Sequence, residues 1–145
     1  MERVYLLLGT NVGDKKHNLS EAIVHIEKLL PSSSSKIEKS SIYESEPWGF
    51  ESDESFLNQA VSFETELEPE ELLVLCKLVE KNMGREVEGE EYDNEGKRIY
   101  HSRIIDVDIL LFGDRKVNLP NLTIPHKELY NRDFALIPLK ELKKY

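Results

Sequence analysis

An α+β sandwich, with helices packed on a mostly antiparallel sheet, is the fold this chain predicts. Three observations predict it. Apolar residues alternate between the two-residue period of strands and the longer period of helices, in the order β-α-β-β-α-β. Glycine, proline and serine clusters punctuate each switch of period. The 145 residues, 39% hydrophobic and 32% charged, suit a soluble chain with one substantial core. A single domain over residues 1–145 is therefore expected.

The first element, Val4-Tyr5-Leu6-Leu7-Leu8, is a short apolar run ending at Gly9 and reads as a central strand. Gly9 to Asp14 is turn chemistry. Leu19, Ala22, Ile23, Ile26, Leu29 and Leu30 then recur at helical spacing, and Pro31 with Ser32–Ser35 ends that helix. Residues 36–43 and 56–66 read as two strands, separated by a loop that carries Pro47, Trp48 and Gly49. Pro69, Glu70 and Glu71 open a second helix, with proline and acids where an N-terminus favours them. Its inner face is Leu72, Leu75, Cys76 and Val79, and Gly84 is its stop. A polar segment, 86–102, precedes a strand within 103–113. After Gly113, Lys116–Leu119 adds a short strand, and one or two short helices follow Pro125. This order is the ferredoxin-like arrangement of two split βαβ units, with both helices on one sheet face and the other face free for ligands.

Composition excludes several functions. With 19 basic against 28 acidic residues, the net charge of −9 argues against broad nucleic-acid binding, which needs a basic surface. No apolar run approaches the roughly 20 residues of a membrane span, and Val4–Leu8 is too short for a signal-peptide core. A cytoplasmic chain with no membrane partner is expected. Cys76 is the only cysteine, which rules out an internal disulfide and any multi-cysteine metal site. The histidines at 17, 25, 101 and 126 lack metal-ligand spacing, and His25 reads as surface. There is no P-loop, dinucleotide fingerprint or nucleophile elbow.

Residues 103–113, Arg-Ile-Ile-Asp-Val-Asp-Ile-Leu-Leu-Phe-Gly, carry the strongest chemical signal. On a strand, Ile105, Val107 and Ile109 face inward while Asp106 and Asp108 project together from the other face. Burying two unpaired carboxylates is costly. A pair roughly 7 Å apart, with Arg103 just upstream, suits divalent metal on a polyphosphate, and equally suits a strand with one solvated face. Segment 44–58 offers Trp48, Phe50 and Phe56 as stacking surfaces and Asn58 as donor and acceptor for a heteroaromatic edge; alternatively the aromatics belong to the core and Asn58 caps a turn. Between 124 and 134, His126 and Arg132 are phosphate donors or solvated surface, and Arg85 has the same two readings.

Taken together, Gly9-Thr10-Asn11, Phe56-Leu57-Asn58, Gly84-Arg85, Arg103-Ile-Ile-Asp106-Val-Asp108, Pro125-His126 and Asn131-Arg132-Asp133-Phe134 strongly resemble the 6-hydroxymethyl-7,8-dihydropterin pyrophosphokinases of folate biosynthesis. The resemblance covers about residues 4 to 140. It implies transfer of the β,γ-diphosphate of ATP to the hydroxymethyl oxygen of a reduced pterin, with AMP released. Asp106 and Asp108 match aspartates that hold two Mg²⁺ ions. Arg103, His126 and Arg132 match triphosphate contacts, Arg85 a loop arginine that helps assemble the closed complex, and Ile109 and Thr123 positions near the adenosine. For the pterin, Phe56 and Phe134 match aromatics on either side of the ring, and Asn58 the asparagine that reads its amide-like edge. Ser45 and Trp48 assist, and Asn11 and Tyr100 fall near the same pocket.

The chain also departs from the pattern. Val87 stands where a second arginine is frequent. The segment 86–102 is longer than usual and carries Glu86, Glu88, Glu90, Glu91, Asp93 and Glu95, so weaker ATP binding or a differently closed loop is expected. Tyr100, His101, Lys127 and Glu46 also differ from frequent family choices. An active, monomeric, Mg²⁺-dependent enzyme acting on small molecules is the leading expectation. The alternative is a non-catalytic ferredoxin-like module that binds a nucleotide or pterin and regulates a partner. A third reading is a piece of a fusion with other folate enzymes, although the chain reads as a complete domain.

Overall fold

The computed structural model describes residues 1–45, 55–84, 104–127 and 129–143. Its elements run β1 (Glu2–Thr10), α1 (Lys15–Leu29), β2 (Glu38–Lys39), β3 (Tyr43–Ser45), β4 (Phe56–Thr65), α2 (Pro69–Gly84), β5 (Asp106–Phe112), β6 (Val117–Leu119), β7 (Leu122–Ile124), a single 3₁₀ turn at Leu129–Asn131, and α3 (Asp133–Lys143).

The main sheet has the order β2-β4-β1-β5, with β3 also pairing β4. Every pairing is antiparallel. Strands β1 and β2 are both antiparallel to β4 and hence parallel to each other, with α1 connecting them around it. Strands β4 and β5 flank β1 in the same way, connected by α2. These are the two interleaved split βαβ units of a ferredoxin-like fold.

Local chemistry sets the element ends. Asp14 caps α1 by accepting the His17 N–H at 3.2 Å. Leu30, next to Pro31, is extended at φ −70°, ψ 144°, because a residue before proline is pushed out of the helical region. The strand expected over 36–43 is broken in two. Ser40 N–H donates to the Ala60 carbonyl, and its own Oγ accepts the Ala60 N–H, both at 2.9 Å. A side-chain oxygen thus replaces a ladder carbonyl between β2 and β3.

The main core lies between the sheet and helices α1 and α2. Val4, Leu6 and Leu8 of β1, Val61 and Phe63 of β4, and Val107, Ile109 and Phe112 of β5 meet Leu19, Ala22 and Ile26 of α1 and Leu72, Leu75, Cys76 and Val79 of α2. Leu29, expected on the inner stripe of α1, is 37% exposed; Leu30 packs against the core instead. The Cys76 thiol is buried, and burial raises its pKa well above the ordinary value, with the nearby charges of Glu80 and Asp108 acting in the same direction. It stays protonated and inert.

The opposite face is not wholly free. Leu7, Leu110, Leu129, Ala135 and Leu139 form a second cluster there, joined by Tyr5, Leu111 and Phe134. Helix α3 therefore lies across part of the face that the two-helix reading leaves open. A bulge supports this packing. The β1–β5 register shifts between Tyr5 and Leu6, so that Leu6 faces Ile109 and Tyr5 faces Leu111. The extra residue, Leu110, turns toward α3, while Phe112 returns to the main core. The expected short strand near 116–119 forms as β6, but it pairs with β7 in a separate hairpin.

Candidate active site

The site is built on the part of the second face that α3 leaves uncovered. In β1 the even residues Val4, Leu6 and Leu8 enter the main core, so Leu7 and Gly9 belong to the other face. Registration places Gly9 opposite both Asp106 and Asn58, and Leu7 opposite both Asp108 and Ala60. Tyr43 stands opposite Asn58 on the next strand, and Ser45 opposite Phe56. Two rows therefore cross the sheet, Asp106–Gly9–Asn58–Tyr43 and Asp108–Leu7–Ala60. Strands are spaced about 4.8 Å apart, which sets the backbone of Asp106 about 10 Å from that of Asn58.

Gly9 joins the two ends of the first row. A β-carbon there would stand 3.3 Å from Asn58 Oδ1 and 4.0 Å from a Phe56 ring carbon. The missing side chain lets Asn58 fold down over β1. Asn58 is only 2% exposed, and its Nδ2 donates to the Tyr43 carbonyl at 3.1 Å and to Ser45 Oγ at 2.9 Å. With both amide protons engaged, Asn58 presents Oδ1, an acceptor, on the Gly9 side. The turn-cap reading of Asn58 is replaced by this fixed, buried arrangement.

A cleft of about 420 Å³ adjoins this end of the row, lined by Tyr43, Glu44, Ser45 and the Asn131–Phe134 segment that leads into α3. The Arg132 guanidinium lies over the Phe134 ring, 5.5 Å from its centroid, a cation–π contact that orients both. Phe56 and Phe134 are half-buried, each keeping part of its surface available for stacking. Asn11, just beyond β1, is buried.

At the other end, Asp108 is exposed and Asp106 half-buried. Carboxylate oxygens on one strand face are hard donors suited to Mg²⁺. Among the described residues no three His, Cys, Asp or Glu side chains converge on one point. Two carboxylates fit an ion that completes its shell with phosphate oxygens and water rather than a closed protein cage. Of the nucleotide candidates, Thr123 and His126 lie beside β5, the end strand of the main sheet among the described residues, whereas Arg132 lines the cleft at the Asn58 end. The His126 N–H donates to the Leu110 carbonyl at 3.0 Å, and Thr123 is exposed on β7 between buried Leu122 and Ile124. Ile109 buries its side chain in the main core, so what it presents to a ligand is backbone.

Arg85, Arg103, Trp48 and Tyr100, together with Val87 and the acidic run, lie outside the described residues. The sequence reading gave no individual role to Tyr43, Asn131 or Asp133, which line the cleft, although Asn131 and Asp133 belong to the motif quoted above, or to Glu80, a buried acid on α2. Glu80 had a signal, since it falls four residues after Cys76 on an otherwise apolar stripe. Tyr43 had none, because its role comes from pairing with Asn58.

Comparison with known proteins finds relatives over nearly the whole chain. The family model described as 7,8-dihydro-6-hydroxymethylpterin-pyrophosphokinase (HPPK) matches residues 5–144. A 2-amino-4-hydroxy-6-hydroxymethyldihydropteridine pyrophosphokinase of Porphyromonas gingivalis is 40% identical over 143 residues, covering 98% of this chain and 91% of that protein. The protein of the same name from Aquifex aeolicus is 41% identical, covering 99% and 81%. Among solved structures, a Plasmodium falciparum HPPK-DHPS superimposes with a TM-score of 0.66 at 18% identity, covering 98% of this chain and 40% of that longer one, a likeness of fold. On a family match that spans nearly its whole length, this chain belongs to the 7,8-dihydro-6-hydroxymethylpterin-pyrophosphokinase family.

Proposed function

We propose that this protein transfers the β,γ-diphosphate of ATP to the hydroxymethyl group of 6-hydroxymethyl-7,8-dihydropterin and releases AMP. The observation that carries this reading is the row Asp106–Gly9–Asn58, in which an acid and an amide share one face with their backbones about 10 Å apart, a span that supports a metal end and a ring end. The non-catalytic alternative is not favoured, because the family and its curated relatives carry the name of the enzyme.

In this reading Asn58 Oδ1 accepts from an N–H of the pterin's amide-like edge, with Ser45, Trp48, Asn11 and Tyr100 completing the pocket. Phe56 and Phe134 take the two faces of the ring. Arg132, His126, Arg103 and Arg85 hold the triphosphate by charge-assisted hydrogen bonds, and Thr123 and the Ile109 backbone meet the adenosine. Asp106 and Asp108 would hold the two Mg²⁺ ions, which when bound would supply charge neutralisation on the triphosphate. A bond forms between the hydroxymethyl oxygen and the β-phosphorus, and the bridge from α- to β-phosphorus breaks. AMP departs, and the hydroxyl proton passes to solvent. Asp106 and Asp108, as metal ligands, are poor bases, so catalysis rests on positioning and electrostatics. A single domain over 1–145, acting as a monomer in the cytoplasm, completes the proposal.

The test is AMP formation from ATP, measured with and without the pterin and with and without Mg²⁺. AMP release that requires both supports the proposal. Folded protein that binds pterin and releases no AMP contradicts it.

A further inference from the structure

Glu80 is 7% exposed near the end of α2. Burying a carboxylate is expensive unless hydrogen bonds replace its water. Its Oε2 accepts the backbone N–H of Val107 at 2.9 Å, and its Oε1 lies 3.5 Å from Lys77 Nζ. Val107 stands between the two aspartates, on a strand whose outer edge has no neighbour in the main sheet among the described residues. The N–H it donates belongs to the peptide unit that begins at Asp106. Fixing that unit fixes the pleat, and the pleat decides whether both carboxylates project from one face.

The same short stretch is gripped upstream. The Thr10 hydroxyl, 1% exposed, donates to the Ile104 carbonyl and accepts from Asn18 Nδ2 at 3.1 Å. A β-carbon on Gly84 would stand 3.1 Å from Ile104 Cβ, so the last turn of α2 lies directly against the backbone leading into β5. Residues 104–107 are therefore held at their carbonyl, their side chain and their amide by groups anchored in α1, α2 and β1.

We propose that Glu80 is a positioning residue for the Asp106–Asp108 pair, acting as the hydrogen-bond acceptor that locks Val107 rather than as a metal ligand. This rests on the metal role proposed above for the aspartates. An acceptor role predicts that Glu80→Gln, whose amide oxygen accepts the same N–H, rescues what Glu80→Ala loses. Glu80→Leu is a second non-accepting variant that fills the alanine cavity.

Two quantities decide the matter: the hydrogen-exchange rate of the Val107 amide by NMR, and Mn²⁺ affinity in the presence of a non-hydrolysable ATP analogue. Glu80→Ala or Glu80→Leu should speed Val107 exchange and weaken Mn²⁺ by roughly tenfold or more, the loss of one charged hydrogen bond. Glu80→Gln should keep both within about threefold. A glutamine variant as impaired as the alanine variant overturns the acceptor role. Fast Val107 exchange with undiminished Mn²⁺ binding overturns the positioning role. Asp108→Ala is measured alongside. If it too leaves Mn²⁺ binding unchanged, the metal assignment fails, while the Val107 exchange rates still report on the clamp by themselves.

Discussion

A β-carbon on Gly9 would meet Asn58 Oδ1 at 3.3 Å, and Asn58 cannot retreat easily, because Tyr43 and Ser45 hold its amide nitrogen. Gly9→Ala should therefore tilt the acceptor away from the pterin. We expect the pterin KM to rise roughly tenfold, about one hydrogen bond's worth, with a stability loss near 1 kcal/mol from the added carbon. Steady-state kinetics at saturating ATP check this, and an unchanged pterin KM would contradict it. At this scale the sequence told part of the story. Phe56 and Asn58 were legible as candidates, since an aromatic face and an amide suit a heteroaromatic ring, whereas Gly9 read only as turn chemistry and as part of a motif. That Asn58 offers its oxygen rather than its nitrogen was not, because this depends on Ser45 and Tyr43 from another strand.

Among the elements, α3 departs furthest from expectation. Its apolar residues are spaced like those of any helix resting on a surface, and nothing local says which surface. The structure lays it on the second sheet face, where Ala135 and Leu139 meet Leu7 and Leu110, and so carries Phe134 and Arg132 to the edge of the cleft. Near its far end Glu141 accepts from the Ser41 backbone N–H at 3.0 Å and from the Ser41 hydroxyl at 2.7 Å. Glu141→Ala should cost about 1 kcal/mol, read as a lowered urea midpoint. It should also raise the pterin KM a few-fold by loosening Phe134. A lower midpoint with the same pterin KM would separate α3 docking from substrate binding. The divided strand of β2 and β3 was equally hidden, because a serine at 40 does not announce that its hydroxyl will replace a ladder carbonyl.

Across the whole molecule, the element order and the main core were legible because each depends on short-range period. The placement of Asp106 and Asp108 on one strand face was legible because side chains alternate along a strand; the metal role is the proposal made above. Cross-sheet alignment was not, since the register between β1, β4 and β5 arises from pairing distant segments and from the bulge at Leu110. That alignment makes the central claim testable, because under the proposed function it divides the site into a ring end at Asn58 and a metal end at Asp108. The direct measurement is the affinity of Asn58→Ala and of Asp108→Ala for the pterin and for the metal–ATP complex, measured separately by calorimetry. We predict that Asn58→Ala weakens the pterin by tenfold or more and metal–ATP by less than about twofold, and that Asp108→Ala, folded because this side chain is exposed, does the reverse. Equal losses of both ligands in either variant would contradict the division on which the proposed mechanism stands.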